Sequence, residues 1–300
     1  MYELIIIGAG PGGITSAVYA ARKGINFIVI SQDVGGQTAW SGDVENYTGY
    51  QFITGPQLTQ KFEEHMRQFN VELKSPESVK RVENKADVIS VATDKDSYET
   101  KSLIIASGKQ PRFLNVPGEE QFKNRGISYC ATCDAPLFRE KNVAVIGGGN
   151  SALDATLQLI KIAEKIYLIN INPQLGGDAI MRQKVEASQK VQIFNLAKTK
   201  EISGDKFVKA IKLEKDNKEI SLDVQGIFVE IGSIPSCNFI DFVEKNKYGE
   251  IIIDAQNQTS AEGIFACGDV TNVLEKQIII AAGEGAKAVL SAFRYLSQKK

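Results

Sequence analysis

The sequence holds one histidine, His65, one tryptophan, Trp40, and four cysteines among 300 residues. A lone imidazole and no second close cysteine pair cannot complete a four-ligand zinc centre around Cys130 and Cys133, so no metal is expected. Four cysteines are also too few for a disulfide framework. An excess of either charge is missing as well. With 35 Lys and Arg against 36 Asp and Glu, the net charge is -1, which leaves no field to draw in nucleic acid or an anionic membrane. No apolar run reaches the ~18 residues of a membrane-spanning helix. Met1 leads almost directly into Leu4-Ile5-Ile6-Ile7, where a cleavable leader would need a charged segment first. The expectation is a cytoplasmic protein without nucleic-acid or membrane partners.

What is present is an ordinary globular composition, 43% hydrophobic and 24% charged, in a chain long enough for two domains with their own cores. Two glycine-rich fingerprints stand out, Gly8-Ala9-Gly10-Pro11-Gly12-Gly13 and Gly147-Gly148-Gly149-Asn150-Ser151-Ala152. Each follows an apolar strand (residues 4–7 and 143–146), opens a helix (about 12–23 and 150–163) and is followed by another strand (27–30 and 166–169). The same 23 residues separate the first glycine from the residue after the second strand, Gly8 to Ser31 and Gly147 to Asn170. Such a context gives the glycines a purpose: the backbone can approach a pyrophosphate whose charge sits at a helix N-terminus.

Between the two fingerprints lies Cys130-Ala131-Thr132-Cys133-Asp134. Two cysteines at this spacing can close a disulfide that accepts two electrons. Two dinucleotide motifs and one dithiol together suggest a flavoprotein disulfide reductase. A further apolar strand ends in Ser107-Gly108 ahead of Pro111 and Pro117. Another, residues 262–267, ends in Gly268-Asp269, whose carboxylate can accept from a ribitol hydroxyl, and precedes a helix over 281–295. The predicted fold is α/β with two Rossmann-like dinucleotide-binding domains, the second inserted into the first. The FAD-binding domain comprises residues 1–115 and 246–300, and the NAD(P)H-binding domain with the dithiol comprises 116–245. Linkers near 115–118 and 245–249 would form a hinge.

Taken together, Gly35-Gly36-Gln37, Glu45-Asn46-Tyr47, the 130–134 pentad, Gly147 to Ser151, the run 226–232 and the run 276–285 resemble the low-molecular-weight thioredoxin reductase family. Within it, they resemble most the flavoprotein half of bacterial alkyl hydroperoxide reductase. The resemblance implies FAD held by Gly8, Gly10, Pro11, Gly12, Gly13, Gln32, Gly36, Gln37, Asn46, Ser107, Gly108, Gly268, Asp269, Lys276, Gln277 and Ile278. It implies NADH or NADPH at Gly147, Gly149, Asn150, Ser151, Asn170, Ile231 and Gly232. Cys133 would face the flavin, Cys130 would attack the partner disulfide, and Asp134 would protonate the leaving thiolate. The peroxide-reductase branch carries an N-terminal thioredoxin-like extension that these 300 residues do not contain. A separate thioredoxin- or glutaredoxin-like carrier is therefore implied, with a peroxiredoxin downstream, and so is a homodimer.

The departures from that family concern the cofactor. Members that use NADPH carry a His-Arg-Arg cluster after the second strand of the inserted domain, because a 2'-phosphate needs cationic forks. This sequence has Asn170-Ile171-Asn172-Pro173 there, which favours NADH. The acid that usually grips the adenosine ribose is also replaced, by Asn170, so Lys165 or Arg182 could assist NADPH. Cys237 and Cys267 read as buried small apolar residues, His65 as a surface or boundary residue, and Trp40 as a packing residue in preference to one bordering the flavin. The competing function is a flavin-dependent dithiol oxidase acting on a small-molecule thiol, which would not need the second fingerprint.

Overall fold

The computed structural model describes residues 1–41, 43–85 and 88–299. The chain forms two units, Met1–Gln110 with Ile234–Lys300, and an inserted Pro111–Ser233. In chain order the first segment supplies β1 (Tyr2–Ala9), α1 (Pro11–Arg22), β2 (Phe27–Val34), α2 (Gly55–Arg67), β3 (Leu73–Lys74), β4 (Val79–Lys85), β5 (Val88–Thr93) and β6 (Ser97–Ile105). The inserted unit supplies β7 (Ile127–Ser128), α3 (Ala131–Asp134), β8 (Asn142–Ile146), α4 (Asn150–Ile160), β9 (Lys165–Ile169), α5 (Ala179–Glu186) and β10 (Val191–Phe194). It continues with β11 (Lys198–Gly204), β12 (Val208–Lys215), β13 (Lys218–Asp223) and β14 (Gly226–Val229). The chain then returns to the first unit with β15 (Ile264–Ala266) and the long α6 (Ile278–Gln298).

The first unit is built on a sheet in the order β3-β2-β1-β6-β5-β4, with β15 also paired to β6. Strand β6 is long enough to serve two neighbours on one edge: Ser97 to Thr100 pairs antiparallel with β5, while Leu103 to Ile105 pairs parallel with β15. Leu4 and Ile6 of β1 face a cluster with Ala17, Val18, Ala288 and Ala292 of α1 and α6, and Ile5 and Ile7 face one with Val82, Val91, Ile240 and Ile251. Both faces are covered, which is why β1 reads as an unbroken apolar run rather than an alternation.

The inserted unit has a wholly parallel sheet, β7-β14-β8-β9-β10, and a separate antiparallel meander β11-β12-β13. Val143 and Val145 of β8 pack with α4 residues Leu153 and Leu159, whereas Ala144 and Ile146 pack with Ile211 and Leu213 of the meander. In each sheet the strand before the glycine fingerprint has a parallel partner on either side, reached by connections that run to opposite sides of it. That switch point opens a crevice at the strands' carboxyl ends, where dinucleotides bind in such folds.

The two chain crossings differ from the expected linkers. Residues 234–245, assigned from sequence to the inserted unit, belong to the first, because Cys237, Ile240 and Val243 pack with Ile5, Ile7 and Ile264. Residues 111–115 belong instead to the inserted unit, where Leu114 packs on its core and the backbone amides of Leu114 and Asn115 donate to Glu119. Pro117 and Gly249 mark turns inside the units. Burial of a few aliphatic side chains decides where a unit ends, and turn residues do not report it.

Candidate active site

The first fingerprint forms the tight turn its glycines suggest. Gly8 has φ +102°, and a Cβ there or at Gly13 would meet backbone carbonyls, those of Ala106 and Gly8 respectively. Gly10 is the N-cap of α1 and Pro11 its first residue, an arrangement in which proline's missing N–H costs nothing. No acid lies in the first turn of α1, leaving its N–H groups and dipole suited to an anion. The end of β2 wraps over this loop. Ser31 Oγ accepts from Ala9 N at 2.9 Å, Gly35 N donates to Ala9 O at 2.7 Å and Gly36 N donates to Asp33 Oδ1 at 3.1 Å, while Gln32 is exposed.

Several more expected residues gather in the same unit. Gln37 Nε2 donates to Lys109 O at 2.7 Å, and Asn46 Nδ2 donates to Gln277 Oε1 at 3.1 Å across 231 residues of sequence. Gln277 caps α6, and Ile278, its first residue, packs with Val44, Ile53 and Leu58. Ser107 Oγ is buried with no hydrogen-bond partner among the described residues, and Gly108, at φ +66°, accepts from Ser236 N. Gly268, at φ +73°, turns the chain so that Asp269 follows β15. Burial raises the Asp269 carboxyl above the usual carboxylate range, with Lys109 and Lys276 pulling the other way and Glu250 adding to the rise. Lys276 pairs with Glu250 at 3.0 Å and donates to Thr271 O, so it braces the turn that carries Asp269. A glycine cradle at a helix N-terminus, a buried hydroxyl lacking a partner and a partly buried carboxylate fit the pyrophosphate and hydroxyl chain of FAD.

In the inserted unit, Gly149 caps α4, whose first turn again holds no acid. Gly147 has φ +141°, and a Cβ there would meet Glu230 O. Asn150 Oδ1 accepts from Asp178 N at 2.7 Å, and Gly148 O accepts from Gly176 N at 2.7 Å, so the loop after β9 folds back on the fingerprint. Ser151 is exposed on the first turn of α4. Ile231 packs at the edge of the inserted core, and Gly232, at φ +95°, accepts from Arg112 N at 3.0 Å. The fingerprint fits the pyrophosphate of a nicotinamide dinucleotide. Asn170 does not present itself as expected. It is 1% exposed and lies beneath Gly148, where a Cβ would meet its carboxamide.

The dithiol lies where β7 ends. Cys130 and Cys133 are disulfide-bonded with Cα atoms 5.4 Å apart, at the start of the short α3, and the amides of Cys133 and Asp134 both donate to Cys130 O. Ser128 Oγ donates to Asp134 Oδ2 at 2.6 Å and accepts from Cys130 N at 3.1 Å, holding the carboxylate to the same turn as the cysteines. A hydrogen bond to a carboxylate of this kind contributes about 1.5–3 kcal/mol. Glu230 ties this turn to the fingerprint: its carboxylate accepts from Ala131 N at 3.3 Å, and its carbonyl underlies Gly147. Helix α3 packs against α4, with Gln158 Nε2 reaching Thr132 Oγ1 at 3.4 Å. Neither Ser128 nor Glu230 is legible in the sequence. A serine two residues before a CxxC motif, and an acid at the end of the strand that pairs with β7, carry no pattern of their own. Cys237 and Cys267 are 2% and 1% exposed, and burial pushes the Cys267 thiol up to about 12, so neither is a redox partner by chemistry. Trp40, expected to pack, is 40% exposed, because the short helix Gln37–Trp40 ends at the surface.

Residues 2–285 match the family model described as pyridine nucleotide-disulphide oxidoreductase. The chain belongs to this family. Among curated relatives of this oxidoreductase, the F component of alkyl hydroperoxide reductase from Escherichia coli is 39% identical over 308 residues, covering 100% of this chain and 59% of that protein. A Bacillus subtilis protein named NADH dehydrogenase is 37% identical over 299 residues, covering 98% and 58%. The chain thus spans somewhat over half the length of these relatives. The crystal structure of thioredoxin reductase from Streptococcus pyogenes superposes with a TM-score of 0.93 at 38% identity, covering 99% of both chains. The fold expected from the sequence is therefore present: the thioredoxin reductase fold with two Rossmann-like domains. Among the described residues no helix is long and apolar enough to cross a membrane.

Proposed function

We propose that the chain is a disulfide reductase of the thioredoxin reductase type, with FAD at the first fingerprint, NADH or NADPH at the second, and a small thioredoxin- or glutaredoxin-like protein as its disulfide substrate. One observation carries this reading: the Cys130–Cys133 disulfide shares a turn with a serine-held carboxylate, Asp134, on a helix packed against the helix of the second fingerprint. Bound FAD and reduced nicotinamide supply the two electrons that open this disulfide. Cys130 then attacks one sulfur of the carrier disulfide as a thiolate, forming a mixed disulfide and displacing the other carrier sulfur, which takes a proton from Asp134. The Cys133 thiolate attacks Cys130 Sγ, re-forms the internal disulfide and releases the second carrier thiolate, which takes its proton from solvent. Asp134 takes up its proton from solvent as the internal disulfide opens and gives it to the carrier, so over the cycle the carrier gains two electrons and two protons while the cysteine pair and the carboxylate return to their starting state.

The absence of a guanidinium between residues 170 and 173 supports NADH as the preferred donor. The reading includes a homodimer in the cytoplasm and a peroxiredoxin supplied by the carrier. The test is anaerobic addition of NADH to the FAD-loaded protein, followed by a thioredoxin disulfide. The unmodified protein reduces the carrier. Cys130→Ser and Cys133→Ser each lower carrier reduction by at least a hundredfold while ferricyanide reduction, which does not need the dithiol, continues. Full carrier reduction by either variant would defeat the assignment.

A further inference from the structure

The residue at the end of β9 occupies the place where dinucleotide-binding units of this topology direct a side chain at the adenosine ribose. In this chain the side chain points elsewhere. Asn170 Nδ2 donates to Asn172 O at 3.1 Å, Gln174 O at 2.9 Å and Asn195 Oδ1 at 3.0 Å, and Asn170 Oδ1 accepts from Asn172 N at 3.1 Å. A carboxamide has two donor hydrogens and one acceptor oxygen. Three acceptors already share the two hydrogens. Gly148 covers the group from the fingerprint side, so no face remains for a ribose hydroxyl.

These bonds fix the loop between β9 and α5. Leu196 N donates to Asn172 O at 3.1 Å on one side, and Gly176 N donates to Gly148 O at 2.7 Å on the other. Residues 170–177 carry no charged side chain, and Ile171, Asn172 and Gln174 are among the exposed ones. Of the two cations suspected from sequence, Arg182 is anchored on this loop from α5 and Lys165 lies away from it. Arg182 Nη1 donates to Leu175 O at 3.1 Å, and Lys165 sits over the Tyr167 ring at 4.8 Å, at the opposite end of β9.

We propose that Asn170 is a positioning residue for the nicotinamide dinucleotide, bracing an uncharged loop against the fingerprint rather than contacting the ribose. The preference between NADH and NADPH is then set by the outward surface of that loop. This rests on the nicotinamide reading of the second fingerprint, which the arms below separate from it.

Asn170→Asp is the decisive variant. It keeps the shape but removes the donors and places a carboxylate among three oxygen acceptors. If Asn170 braced the loop, the KM for NADH and for NADPH would both rise about tenfold, their kcat/KM ratio would stay within threefold, and kcat would change little. Calorimetry with 5'-AMP and 2',5'-ADP, which needs no turnover, would show parallel losses of affinity. If residue 170 met the ribose directly, the new carboxylate would favour NADH and repel the 2'-phosphate, moving the ratio tenfold or more. That outcome overturns the proposal. Amide hydrogen exchange at Gly176 and Leu196 tests the brace without any nucleotide. Faster exchange in the variant supports it, and unchanged exchange overturns it. Binding of neither nucleotide by the unmodified protein would defeat the nicotinamide reading while the exchange result still judges the brace.

Discussion

Asp269 shows how a single side chain can be set for binding at the expense of the fold. Its carboxyl lies above the ordinary range because burial withdraws it from water, and Lys109 and Lys276 offset only part of that. An acid raised in the folded state contributes stability that is complete below its unfolded pKa and is lost as pH rises through the folded value. At neutral pH the ionised carboxylate therefore weakens the flavin-free protein. Asp269→Asn is expected to raise the melting temperature of the flavin-free protein at pH 7, with the gain shrinking toward pH 4. FAD affinity should fall in the same variant. Parallel melting curves across that pH range, together with flavin titration, check both signs. The predicted catalytic residues behave differently. Cys130, Cys133 and Asp134 are nearly adjacent in sequence, so local structure suffices to assemble them, and they are legible as a motif. Ser128 becomes visible only through the 2.6 Å bond to Asp134.

At the scale of elements, the first fingerprint depends on a helix that begins more than 260 residues later. Ser16 Oγ donates to Gly12 O and Gly285 O, each at 2.9 Å, and a Cβ on Gly285 would meet Gly12 O. Helices α1 and α6 touch here because glycine lets their backbones approach. Gly285→Ala must push α6 away from the loop, at a cost of about 1–3 kcal/mol in stability. Because Gly12 belongs to the fingerprint, FAD affinity should fall about tenfold or more. Chemical denaturation and flavin titration measure the two effects. Stability lost with flavin affinity intact would show that the loop does not rely on α6. The sequence reveals α6 as an apolar periodic stretch, but the helix begins three residues earlier, at Ile278, than the pattern indicates. Nothing in the one-dimensional pattern marks Gly285 as a contact, since its only signature is the missing side chain.

For the whole molecule, among the described residues each hydrophobic cluster closes within one unit: those of the insert draw on residues between 111 and 233, and those of the first unit on the rest. A unit with its own closed core can fold alone. Residues 111–233 expressed as a separate chain are expected to unfold cooperatively, retain the Cys130–Cys133 disulfide and bind 5'-AMP within about threefold of the intact protein. Circular dichroism, thiol titration and calorimetry decide this. A fragment that is unfolded would mean that the covalent connections to the first unit are needed to hold the insert together.

The sequence by itself determined the α/β class, the repeated strand-glycine-helix unit, the insertion of one such unit in another, and the paired cysteines. All of these follow from periodicity or from residues adjacent along the chain, which short-range geometry already constrains. Only the tertiary structure decided where the units divide, that Asn170 turns inward, and that Ser128, Glu230 and Gly285 support the glycine loops and the dithiol. Each of those depends on which groups meet after the sheets have formed. A buried carboxamide takes whichever carbonyls surround it, and three apolar side chains at 237, 240 and 243 join whichever core is within reach. Glu230, Gly285 and the side chains at 237, 240 and 243 meet partners far away in sequence, and packing alone brings them together.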